Sequence, residues 1–232
     1  MPSVLAQSIA DKAILVLQDA GNTRWTLPEI LGWINAGQKE IVIAKPDACT
    51  VTKAVQLASG TRQILGAGAT ADAVMLLRLQ RNMGVDGLTP GSVVTIISGE
   101  QLDALSPDWH AEPKVAAVEH YVYDPRVPLQ YYVYPPSNGS GYVEATYSAV
   151  PAAIASLAGA ITISDIFENA LVDYVLYRCF AKDSEMQEQA ARAVAHYQAF
   201  SSAIGANTQN LGSQNPNQET LPLNPGVPAG AK

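Results

Sequence analysis

The chain has 232 residues, enough for one large domain or two small ones, and its 48% apolar side chains can offset the entropy lost on folding. Charged residues make up 15%, well below the usual ~25%, so large neutral surfaces suited to partner contact are expected. Lys and Arg number 14 against 21 Asp and Glu, and the resulting net charge of -7 disfavours a gripping interaction with nucleic-acid phosphates.

No run of about 18 apolar residues exists, and Met1-Pro2-Ser3-Val4 lacks the basic start and apolar core of a secretory signal. A soluble chain made in the cytosol, without membrane contact, is expected. Cys49 and Cys179 are far apart and belong to no metal-ligand spacing, so both read as reduced, inert thiols.

In chain order, a first amphipathic helix is predicted over 3–21, with Leu5, Ile9, Ala13, Val16 and Leu17 on one face, Ser3 as cap and Gly21 as stop. A second helix opens on the capping box Thr26 and Glu29 with Pro28 in its first turn, carries Ile30, Ile34 and Ile41, and ends at Pro46.

Period-two alternation at Val51, Lys53, Val55 and Leu57, a Ser59-Gly60 turn and a return over 62–65 predict a hairpin. Runs over 73–80 and 93–97, punctuated by Gly84, Gly87, Pro90-Gly91 and Gly99, predict further strands, while 101–113 gives no clear pattern. Seven of the ten tyrosines lie between Tyr121 and Tyr147, so extended runs over 130–134 and 142–148 are expected to pair across a loop.

Helical spacing returns with Ser164 as cap and Phe167, Leu171, Tyr174, Val175 and Cys179 as a buried stripe. A final antiparallel helix from Asp183, with Met186, Ala190, Val194 and Tyr197 on one face, is expected to stop at Gly205. The rest, rich in Asn, Gln, Pro and Gly, reads as an extended tail that orders only when bound.

The fold class is therefore α+β: a helical bundle from 1–48 and 152–206, an inserted β-rich lobe over 49–151, and an extended C-terminal tail over 207–232. Trp25 and Trp33 are expected to close the bundle by packing, with Phe167 and Tyr174 in its interior.

Chemistry is sparse. Gly66-Ala67-Gly68-Ala69-Thr70-Ala71 has the glycine spacing of a dinucleotide-binding turn, with Asp86 as ribose candidate, and gives the alternative reading of a dinucleotide-binding enzyme using the Gly66-Gly68 turn. The helix that such a turn requires would have to cross 73–83, where the pattern is strand-like, so a hairpin loop is preferred.

His110, His120 and His196 show no metal-ligand spacing. Asp108, His110 and Glu112 could serve proton transfer beside a nucleophile such as Ser106, but Pro107 and Pro113 frame the cluster like an ordinary loop. Tyrosine-rich strands could stack bases, yet Arg126 is the only cation between Tyr121 and Tyr147, so packing or partner contact is preferred. No cofactor, metal or catalytic residue is assigned.

The chain resembles the head-to-tail adaptor proteins of tailed bacteriophages. The resemblance is carried by Leu17-Gln18-Asp19, Thr23-Arg24-Trp25-Thr26, the string from Leu31-Gly32-Trp33-Ile34-Asn35 to Ile41, and Lys45-Pro46-Asp47-Ala48. Tyr123-Asp124-Pro125-Arg126, Tyr132-Val133-Tyr134-Pro135-Pro136, Asp173-Tyr174-Val175-Leu176-Tyr177-Arg178 and Ala181-Lys182-Asp183-Ser184 extend it.

The resemblance implies a non-enzymatic virion protein of the neck, a subunit of a homo-oligomeric, dodecameric ring. Its partners would be the portal protein, a tail or nozzle protein and its own copies, with genomic DNA passing without sequence-specific binding. With this in view, the tail is expected to bind the portal through Leu211, Leu221, Leu223 and Val227.

Overall fold

The computed structural model describes residues 3–183 and 187–213, with side chains as far as 205. Among the described residues it is α+β, with helices α1 (Ala6–Leu17), α2 (Leu27–Ala44), α3 (Gly99–Leu105), α4 (Glu168–Lys182) and α5 (Gln187–Ser213). Strands β1 (Thr50–Gln56), β7 (Tyr142–Ala149) and β3 (Ala73–Asn82) form one antiparallel sheet in that order. The second sheet has the order β2 (Gly60–Ile64), β6 (Gln130–Ser137), β5 (His120–Tyr123), β4 (Thr95–Ile96), with β4 parallel to β5.

Buried residues fall into two clusters. One unites Ile9 and Ala13 of α1, Ile30, Ile34 and Ile41 of α2, Leu171 and Val175 of α4, and Phe200 and Ile204 of α5. The other joins the inward residues of both sheets, where alternation places Val143, Ala145 and Tyr147 of β7 against Tyr131 and Val133 of β6.

The α2 start follows the sequence pattern: Glu29 Oε2 accepts from Thr26 N and Oγ1 at 3.1 Å each, and Pro28 costs no donor in the first turn. Gly37 lets α4 approach closely, since a Cβ there would lie 2.9 Å from the Tyr174 ring and 3.0 Å from Leu171.

The first helix is shorter than predicted. Ser3 does not cap it; the first amides of α1 are satisfied from across the chain, Ala6 N donating to Gly159 O and Gln7 N to Leu157 O. Gln18, not Gly21, takes the left-handed stop at φ 55°, and Leu5 and Val16 of the predicted stripe are exposed. The freed Ser3 donates its N and Oγ to Asp165.

Both predicted hairpins are absent. β1 pairs with β7 and β2 with β6, so the Ser59-Gly60 turn carries the chain from one sheet to the other. The buried Gln63 side chain takes the place of a cross-strand partner there, accepting from Ala58 N at 2.6 Å and donating to Ala58 O and Gly60 O. β6 and β7 likewise lie in different sheets, because 137–141 packs on Val115 and Ala116. β3 meets β7 with three register shifts, the mark of a strongly coiled edge strand.

The unpatterned segment 101–113 contains most of α3, whose cap Ser98 accepts from Gln101 N, and a short turn at Trp109–Ala111. Ser164 makes no side-chain cap, and a 3-10 turn at Asp165–Phe167 leads into α4. α4 and α5 are antiparallel, as Tyr177 meets Tyr197 and Tyr174 meets Phe200. The buried stripe of α5 is Ala193, Phe200 and Ile204, while Val194 and Tyr197 are exposed; Met186 lies outside the described residues. The helix runs through Gly205 to Ser213, so 207–213 is helical rather than extended.

Acid should loosen the attachment of α1. Hydrogen bonds from Ser3 and Val4 hold Asp165 below its ordinary value, and the Lys12 ammonium 2.7 Å away, with help from Ser8, does the same for Glu168. A depressed folded value contributes stability above the unfolded carboxylate range, roughly 4, and loses it as pH falls through the folded value. The melting temperature is therefore expected to drop on going from pH 6 to pH 3. Asp165→Asn should lower melting at pH 6 and shrink that drop; an undiminished drop would show that Asp165 is not involved.

Candidate assembly surfaces

The groups that carried enzymatic alternatives are engaged in holding loops. Gly66 N donates to Thr70 Oγ1, Thr70 Oγ1 donates to Ala67 O, and strand β3 follows where a dinucleotide site needs a helix. Asp86 is held by its own turn: Leu88 N and Thr89 N donate to Oδ1 and Thr89 Oγ1 to Oδ2, which lowers its carboxyl to about 2. Nothing in this geometry supports the dinucleotide-binding enzyme.

Ser106 Oγ donates to Glu112 at 2.6 Å, whereas His110 is hydrogen-bonded to Thr61 and stacked on Trp109, so no serine-histidine pair forms. His120 pairs with Thr95 and His196 with Asp173. No metal-binding group of His, Cys, Asp or Glu occurs among the described residues. Cys49 and Cys179 are free, and burial raises both thiols, Cys179 to about 12.

The rings are occupied too. Tyr121, Tyr131 and Tyr147 lie in the β core, where burial raises their hydroxyls. Tyr132 and Tyr134 stand edge-on to Trp109 at 6.2 and 6.4 Å. Trp25, Phe167 and Tyr174 are buried in the helical core, and Trp33 packs against it while partly exposed. The side chain of Leu211 and all of Leu221, Leu223 and Val227 lie outside the described residues.

What remains is aliphatic surface. Leu15, Ile43, Leu88 and Leu105 are each at least three-quarters exposed, at 80%, 75%, 80% and 77%. Ile43 belongs to a groove of about 210 Å³ where the end of α2 meets the first sheet, lined by Lys39, Val42, Ile43, Val74, Val150 and Pro151. Sequence reasoning did not single out these positions: Leu15 and Ile43 stand in helical segments where an aliphatic residue reads as core, Leu88 in a turn and Leu105 in a segment without pattern, and only the packing shows which side chains are left over.

Across this whole arrangement, residues 5–222 match the family model described as SU10 adaptor protein, a family of phage head-tail adaptors. The chain belongs to the SU10 adaptor protein family. Comparison with curated proteins gives no match.

Membership makes the adaptor a structural phage protein of the virion that interacts with head and tail components. In that setting its exposed aliphatic residues are candidate contacts, since apolar side chains left in water gain most from burial against a partner. No described helix of the adaptor is long and apolar enough to cross a membrane.

Proposed function

We propose that this adaptor is a subunit of a dodecameric ring that joins the capsid portal to the tail and gives passage to genomic DNA. The observation that carries the reading is the family match, which runs through both cores and not through one of them. Exposed aliphatic side chains on each core supply material for subunit contacts, and a net charge of -7 suits a conduit through which phosphates must slide.

In this reading the chain divides into the helical bundle, 1–48 with 152–206, turned to the portal, the β-rich lobe, 49–151, turned to a tail or nozzle protein, and the C-terminal part from 207. Phe200 is level with Tyr174, so at about 1.5 Å per residue α5 continues roughly 20 Å further and ends roughly 10 Å beyond the start of α4. Leu211, Leu221, Leu223 and Val227, which follow the bundle in sequence, are assigned as the portal anchors.

Electron cryomicroscopy of the purified virion neck tests the ring: one ring of this chain between portal and tail is expected, and its absence there sinks the proposal. Removing 214–232 should leave thermal melting unchanged and weaken portal binding about tenfold or more, a loss of roughly 1.4 kcal/mol or more. Equal portal affinity of the full-length and truncated chains would remove the anchoring role.

A further inference from the structure

We propose that consecutive copies of this chain join by a knob-and-groove contact, in which the 83–92 loop of one copy, led by Val85 and Leu88, seats in the groove around Ile43, Val74 and Val150 of the next. The contact deepens the ring reading above and rests on it.

The loop is a preformed knob. At its root the buried Asn82 side chain donates to Ser92 and Val118 O and accepts from Val118 N, closing both ends of the loop onto one residue. Met83 N donates to Tyr142 O and Tyr142 N to Gly84 O, which extends the sheet ladder into the loop. Gly87, at φ 70°, lies against the Tyr142 ring where a Cβ would come within 3.1 Å, and Asp86 closes the tip with three hydrogen bonds. All this order ends in Val85 at 65% and Leu88 at 80% exposure, two aliphatic side chains held out in water. A loop already fixed in shape loses little entropy on docking.

The groove is its complement in character. Its floor is the buried Val42, and its walls are Ile43, Val74, Val150 and Pro151, with Ile43 at 75% and Val150 at 47% exposure. Lys39 stands at its edge with no ion-pair partner among the described residues. The knob carries Asp86, whose carboxyl stays ionised down to about pH 2, so the two features are opposite in charge as well as alike in apolar content.

Placement decides the symmetry. Val74 lies near the start of β3 and Asn82 at its end, while Tyr142 opens β7 and Val150 follows it, so knob and groove sit at opposite ends of one sheet, roughly 26 Å apart at ~3.3 Å per residue. A copy cannot reach its own groove with a loop pinned at Asn82. Joining unlike surfaces head to tail is the contact that generates rings when the rotation closes.

The test places Leu88→Cys and Val150→Cys together in the chain, assembles particles and oxidises them. A covalent ladder of subunits on a non-reducing gel is expected from the double variant, with nothing beyond dimers from either single variant or the wild type. Subunit present in the particles without a ladder overturns the contact alone, whereas wild-type particles lacking the chain overturn the adaptor reading. Leu88→Asp gives an independent check, since that side chain is exposed and folding should be unaffected: unchanged melting with about tenfold lower incorporation is expected. Incorporation at the wild-type level overturns the contact.

Discussion

Gly141→Ala is expected to destabilise the β core by about 3 kcal/mol or more, at or above the top of the usual overpacking range. An added Cβ would overlap Ala116 O and lie 2.9 Å from its carbonyl carbon. Both atoms are backbone, so no rotamer change relieves the clash. Moving the segment would disturb the Gly141 carbonyl, which accepts from Leu57 N, and the adjoining bonds of Val115 with Pro136 and Asn138. Gly32→Ala is the matched control: that position is helical, exposed and open, with nothing within 4 Å of an added Cβ. There alanine should stabilise by up to about 1 kcal/mol through helix propensity. For a chain of this size the Gly141 variant should melt roughly 6–12 °C lower; two variants with the same melting temperature would refute the close approach.

Gly141 also marks where sequence reading stops. Its neighbours Asn138-Gly139 signal a turn, and a turn between two tyrosine-rich strands reads as a hairpin, because the local pattern carries no information about a third segment. The backbone of Ala116, distant in sequence, occupies the space instead and sends β6 and β7 to different sheets. The same holds at Ser59-Gly60, where Gln63 satisfies the corner that a hairpin ladder would have filled. Which strands pair is decided by long-range burial, which the period-two alternation of a single strand does not specify.

Local rules are legible where the satisfying group is local. Thr26 and Glu29 are three residues apart and make their bonds within one turn, so the α2 start is visible in the sequence. Ser3 carries an equally good cap side chain, but Gly159 and Leu157 reach the first amides of α1 before it and Asp165 takes its hydroxyl. The apolar stripe of α4 is readable because nearly the whole helix is wrapped; that of α5 is shifted because, among the described residues, α4 is its main partner. The candidate assembly surfaces are the least legible of all, for Ile43 sits on a helix like a core residue and Leu88 in a turn like any loop residue, and only their exposure sets them apart.

Trp25→Ala is expected to cost about 3–5 kcal/mol, the range for emptying a buried aromatic site. Trp25 is only 7% exposed and lies where the start of α2 meets the end of α4, its Nε1 donating to Cys179 O at 3.2 Å. Arg24 covers the ring at 5.2 Å while pairing with Asp183 at 2.8 Å, so the indole is held at its edge and on its face, and Asp19, accepting from the Trp25 amide, fixes the backbone beneath it. Alanine would leave a void that these groups cannot close and a carbonyl without its donor. Trp25→Phe keeps most of the volume and loses the hydrogen bond, a loss of about 1 kcal/mol for the bond itself. Trp33 is partly exposed and packs on the outside of the same core, so Trp33→Ala should cost less than about 3 kcal/mol, below the figure for a fully buried ring. Denaturant unfolding of the three variants orders them, and a Trp33→Ala loss equal to that of Trp25→Ala would mean that the bundle closes over Trp33 instead. Because portal attachment is proposed to run through this bundle, the Trp25 void should also weaken assembly without touching the exposed groove at Ile43.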